Sequence, residues 1–187
     1  MTTDTRLSPT QLSTSRAPRP WLGRRARTLV LVVHIVAAAA WIGIDVLVAV
    51  LVGTGALASD PAARGLAYQA LATFVVVPMA VAAVATLISG VLLGLGTRWG
   101  LVRYWWVAVK LAMNLVLVVL ILVLLRPGMA EVGVAGAEIA ATGSTDADLA
   151  FLVFPPTVSL TMLTLAVVLA VAKPWGRLRR AQVRSRR

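Results

Sequence analysis

Three side chains carry most of the chemistry this sequence offers: His34, Lys110 and Asp45, each inside a long apolar run. His34 is the single histidine among 187 residues, and there is no cysteine. Disulfides, thiolate metal sites and thiol nucleophiles are therefore excluded. A neutral imidazole binds metals and relays protons, whereas an ammonium or carboxylate in apolar surroundings needs a partner. No HExxH, phosphate-cradling glycine loop, paired carboxylates or Ser/His/Asp grouping accompanies them, so the sequence gives no expectation of an enzyme.

Spacing brings these residues into groups. His34, Trp41 and Asp45 stand at i, i+7 and i+11, within about 20° of one another around a helix, with Ala37 and Ala38 between them. Arg103, Lys110 and Asn114 repeat that spacing. Counted along helices rising from one side, His34 lies about 9 Å and Lys110 about 13 Å from the starting edge. A helix descending to the same edge brings Thr86 and Ser89 to that depth. The expected pocket is thus lined by His34, Lys110, Thr86 and Ser89, with Asn114 and Asp45 as further polar members. Each has a plain structural alternative. His34 can be satisfied by a carbonyl or hydroxyl, Lys110 can extend toward headgroups, and Asp45 can meet water at the outer edge. Trp41 lies too deep for an interfacial belt, so its indole N–H is expected to find a partner in the bundle.

The elements that must position these residues follow from composition. With 59% hydrophobic and 13% charged residues, the chain has too little polar surface for a soluble domain. Apolar stretches at about 28–53, 66–96, 101–125 and 150–172 each reach the roughly 20 residues that cross a bilayer core. The expectation is an all-α, polytopic bundle of four transmembrane helices over residues 27–173. It is flanked by a disordered basic arm at 1–26 and a basic tail at 174–187. The first apolar run is too long for the core of a removed signal peptide. Pro78 is expected to kink the second span, and Pro155 and Pro156 to mark the start of the fourth. Ala82, Thr86, Gly90 and Gly94 form a small-residue contact stripe, while Thr157, Thr161 and Thr164 form a hydroxyl face. Residues 126–149 read as the one long connection, with at most a short helix.

Lys and Arg cluster strongly. Six Arg lie in the arm and its junction, Arg98 and Arg103 flank the 97–100 turn, and seven basic residues follow from Lys173. Only Arg64 and Arg126 stand on the opposite side. The positive-inside rule then places both termini in the cytoplasm and the acidic 126–149 loop outside, in a cytoplasmic membrane. The net charge of +11 faces anionic headgroups, and nucleic acid is not an expected partner. Trp99, Tyr104, Trp105 and Trp106, with Trp21 and Trp175, read as an interfacial aromatic belt.

The run His34-Ile35-Val36-Ala37-Ala38-Ala39-Ala40-Trp41-Ile42-Gly43 resembles the opening of copper-resistance D-type membrane proteins and their HemJ-type relatives. Trp105-Trp106-Val107-Ala108-Val109-Lys110-Leu111 is similar to their third-span stretch. The likeness covers spans one to three. It implies a compact bundle in which His34 and Lys110 line a shared pocket and, in the HemJ-type branch, a haem-linked histidine. The chain has Asp45-Val46-Leu47-Val48-Ala49-Val50 where that branch carries an arginine-bearing run, and lacks the extra histidines of the copper branch. An uncharacterised branch is therefore the expected placement.

Three readings stay open. The first is a binding or assembly subunit, possible homo-oligomers included, whose polar residues hold helices together. The second is a haem b or tetrapyrrole protein with His34 as axial ligand, Trp41 near the ring and Lys110 and Arg103 on the propionates. The third is a copper-handling or transport protein in which Met79, Met113 and Met162 join His34.

Overall fold

The computed structural model describes residues 23–96 and 105–172. The arm before residue 23, the 97–104 turn with Arg98, Trp99, Arg103 and Tyr104, and the tail from Lys173 lie outside the described residues. Within them the chain is all-helical. Four helices are long and apolar enough to cross a membrane: α1 (Arg24–Leu57), α2 (Pro61–Gly96), α3 (Trp105–Thr142) and α4 (Ala150–Ala172). They run up and down, so α1 begins and α4 finishes at one end of the bundle (the termini end), and the two described connections lie at the other (the loop end).

The buried positions of α1 are Ala37, Trp41, Asp45, Val48, Val52 and Gly55. They recur every three or four residues, which is one helix face. That face meets α2 along most of its length and α4 toward the loop end, while α3 closes the bundle between α2 and α4. Asp60 caps α2 by accepting from the N–H groups of Ala62 and Ala63, with Pro61 at the first helical position. Gly143, at φ 88°, ends α3 in the left-handed conformation that glycine adopts without penalty.

The prolines reshape the helices without ending them. Pro78 has no N–H and its ring would collide with the carbonyl four residues back, and α2 widens into a π-turn at Leu71–Val75 just before it. Pro127 follows a second π-turn in α3, Leu120–Leu125, where the Arg126 N–H reaches back to the Ile121 carbonyl. Pro155 and Pro156 follow a 3₁₀ turn at Ala150–Val153 that opens α4.

The segment expected as a long connection is different. Residues 126–142 continue α3 as helix, leaving only 143–149 as the link. Met129, Val132, Ala135, Gly136 and Ile139 are its buried positions. They form a helical stripe in a segment rich in Ala and Gly, which is why hydropathy alone underweighted it. The stripe packs on Pro61–Ala70, and at Gly65 and Gly136 the two backbones come into direct contact. With 36 and 38 residues, α2 and α3 are about 55 Å long, well beyond a bilayer core of about 30 Å. Their loop-end portions, with the end of α1, share one core of Val52, Tyr68, Leu71, Val132 and Ile139.

This contact gives a direct test. A Cβ on Gly136 would lie 2.8 Å from the Gly65 carbonyl oxygen and 2.9 Å from Tyr68 Cβ. Gly136→Ala is expected to lower stability by about 1–3 kcal/mol through overpacking. Gly53→Ala, where nothing lies within 4 Å, should leave stability unchanged or slightly raised; thermal unfolding in detergent reads both.

Candidate functional site

In the termini half the bundle opens. On α1 no described residue before Ala37 is buried, on α3 none before Leu117, and on α4 none after Leu163. Between the four helices lies a chamber of about 580 Å³. Its walls are apolar and its width comes from small residues: Ala38 and Ala39 on α1, Gly90 and Gly94 on α2, and Ala166 and Ala170 on α4. Toward the loop end it stops at a packed cluster that includes Trp41, Met79, Ala83, Leu117 and Leu163.

His34, Lys110, Thr86 and Asn114 all line this chamber, with Arg27 toward its termini end. The His34 ring is fixed by α2. Its Nδ1 lies 3.1 Å from the Thr86 carbonyl oxygen and 2.9 Å from Ser89 Oγ. A carbonyl only accepts, and the Ser89 hydroxyl donates to the Ala85 carbonyl at 2.6 Å. The hydrogen therefore sits on Nδ1, and in the uncharged ring Nε2 carries a free lone pair. Among the described residues Nε2 has no hydrogen-bond partner. Gly90 makes room for the ring, since a Cβ there would lie 3.2 Å from His34 Cε1.

Lys110 reaches the chamber from α3. Its ammonium lies 5.8 Å from the centroid of the Trp106 ring, at the outer limit of a cation–π contact. Among the described residues it has no carboxylate partner. Asn114, one turn further on, keeps Oδ1 buried without a partner among the described residues.

Asp45 is placed elsewhere. It does not line the chamber, and it is not an outer-edge group: it is 2% exposed and accepts a hydrogen bond of 2.6 Å from Ser159 Oγ on α4. Eleven residues of helix rise separate it from His34 by about 16 Å, so one face does not mean one pocket. Trp41, between them, is fully buried and its Nε1 has no partner among the described residues, contrary to expectation. The threonine face of α4 is also corrected. Thr157, Thr161 and Thr164 are exposed; Thr157 and Thr161 donate to carbonyls four residues back in their own helix. The hydroxyl that α4 turns into the bundle is Ser159, on the side of the helix opposite the threonines and overlooked for that reason. Met113 and Met162 line the chamber, whereas Met79 is packed in the core. Arg103 lies outside the described residues.

Comparison with protein-family models, with curated proteins and with solved structures finds no match.

The Asp45 link can be probed by itself. Ser159→Ala leaves a buried carboxylate oxygen unpaired and is expected to cost about 1–3 kcal/mol. Thr161→Ala, on the exposed side, should stay within about 0.5 kcal/mol of the parent. Unfolding midpoints in a denaturing detergent titration distinguish the two.

Proposed function

We propose that this protein is a binding subunit of the cytoplasmic membrane, with both termini inside, whose chamber holds a small membrane-soluble molecule. The observation that carries the reading is the chamber itself: apolar walls with a few convergent polar groups, within the size range of ligand sites. His34 and Lys110 are its anchors. The side assignment rests on the clustering of Lys and Arg at one end of the bundle. A purely structural role for the polar residues explains Asp45 and Ser159, which tie α1 to α4. It leaves His34 Nε2 and the Lys110 ammonium without a purpose.

A second reading is haem b. The Nδ1–H bond to a backbone carbonyl is the arrangement that fixes a histidine to present Nε2 to a metal. The residues fit to that extent: His34 would hold the iron, and Lys110 and Arg27 would meet the carboxylates. A bound haem would supply one-electron chemistry. Copper draws less support, because Met79 is in the core. Among the described residues no group of three or more His, Cys, Asp or Glu could hold a metal.

The test uses protein purified from membranes in mild detergent. We expect organic extracts to contain a co-purifying lipid-soluble molecule, depleted at least about tenfold in Lys110→Met, a loss equivalent to some 1.4 kcal/mol. A Soret band that disappears in His34→Ala but survives in Asp45→Asn would select haem. Extracts and spectra identical in all variants would overturn the binding reading. For topology, a carboxy-terminal fluorescent fusion should be bright and a phosphatase fusion inactive; the reverse pair would place the termini outside.

A further inference from the structure

The charge and shape of the chamber narrow the ligand, given that the chamber is a binding site at all. We infer that it takes a single-chain anionic lipid, the chain lying along the chamber and the acidic head between Arg27 and Lys110. The sign comes first. Among the described residues the ionisable ones on the wall are Arg27, Lys110 and His34, and no Asp or Glu joins them. An ammonium in apolar surroundings is costly when nothing neutralises it. Among the described residues nothing does. An anionic group brought by the ligand removes that cost, and Arg27 adds a second set of donors toward the termini end.

Shape comes second. On α1 the wall runs from Arg27 to Ile42, about 22 Å of helix rise. Spread over that length, a volume of about 580 Å³ makes an elongated chamber. This suits an extended hydrocarbon chain lying along the helices. Arg27 stands at the termini end with His34 and Lys110 further in, and the deepest described wall, at Ile42 and Leu117, is apolar, so the head and tail of such a lipid have one direction in which to lie.

His34 adds a third constraint. Its free Nε2 accepts and does not donate, so it pairs with a hydroxyl and repels a bare anionic oxygen. A phosphate head that carries a glycerol hydroxyl satisfies Lys110, Arg27 and His34 together. A fatty acid satisfies only the first two. The shared chemistry is an anionic oxygen group on one apolar chain.

Native mass spectrometry of the full-length, delipidated protein tests this with four probes: oleoyl lysophosphatidate, oleate, mono-oleoylglycerol and haemin. We expect both anionic lipids to bind at least about tenfold more tightly than the neutral one, a difference of some 1.4 kcal/mol. Lysophosphatidate ahead of oleate would assign the phosphate head, and the reverse order the free acid; either supports the proposal. In Arg27→Gln/Lys110→Met the anionic preference should vanish while neutral binding persists, which also shows the variant is folded. Ala166→Phe, which fills the chamber without altering charge, should weaken all three lipids. Mono-oleoylglycerol binding as tightly as the anions would sink the anionic assignment and leave the binding reading intact. Haemin binding alone would replace the chain by a plate. No binding of any probe would remove both.

Discussion

A polar side chain on an apolar helix must find its partner inside the bundle, and α1 obeys this at two levels. His34 is satisfied by α2 through the Thr86 carbonyl and Ser89, and Asp45 is satisfied by α4 through Ser159. These two links sit about 16 Å apart along one face of α1. Together they fix both the depth and the rotation of that helix, which apolar packing alone does poorly, because lipid is as good a neighbour for valine as another helix is. Everything else in the bundle is arranged about a helix set in this way.

The two ends of the bundle then behave differently. At the loop end, Gly65 and Gly136 let α2 and α3 touch backbone to backbone, and Gly55 takes the face of Tyr68. Three turns disturbed by proline lie around this region, and residues from all three (Leu71, Val75, Leu125 and Leu152) surround one small void. The π-turns preserve helix continuity through the prolines while shifting which residues face inward afterward. At the termini end the same small-residue habit has another outcome. Alanines and glycines face one another there without the backbones closing up, and a chamber results.

How much of this could be read from the sequence depends on which physical signal carried it. The four spans follow from hydropathy and length, and the shared depth of His34, Lys110, Thr86 and Ser89 follows from helix rise and an up-down path. The pairing of Asp45 with Ser159 did not, because helix periodicity gives a direction but not the neighbour met there, and three threonines on α4 outweighed a lone serine. The helix through 126–142 was hidden by its composition: alanine and glycine bury little area yet pack closely, so a hydropathy reading misses a contact that depends on their smallness. Trp41 shows the limit of satisfaction arguments. Its N–H is buried without a partner, at a cost of about 1–3 kcal/mol that its large apolar ring offsets on burial.

Lys110 is the point at which structure and function part. His34 and Asp45 each have a structural reason to exist, since each holds two helices together. Among the described residues Lys110 holds nothing: its contact with Trp106 is distant and lies within its own helix. A bundle selected for stability alone would gain by replacing it with methionine or leucine, which fill the same space without a charge to desolvate. Its presence on the chamber wall with Arg27, and apart from any carboxylate of the described residues, is therefore better explained by something that comes and goes than by anything those residues supply. An exchangeable anion suits Lys110 better than a permanently seated group, because a charge left unpaired between occupants is tolerated only where its long side chain can extend toward headgroups while the chamber stands empty.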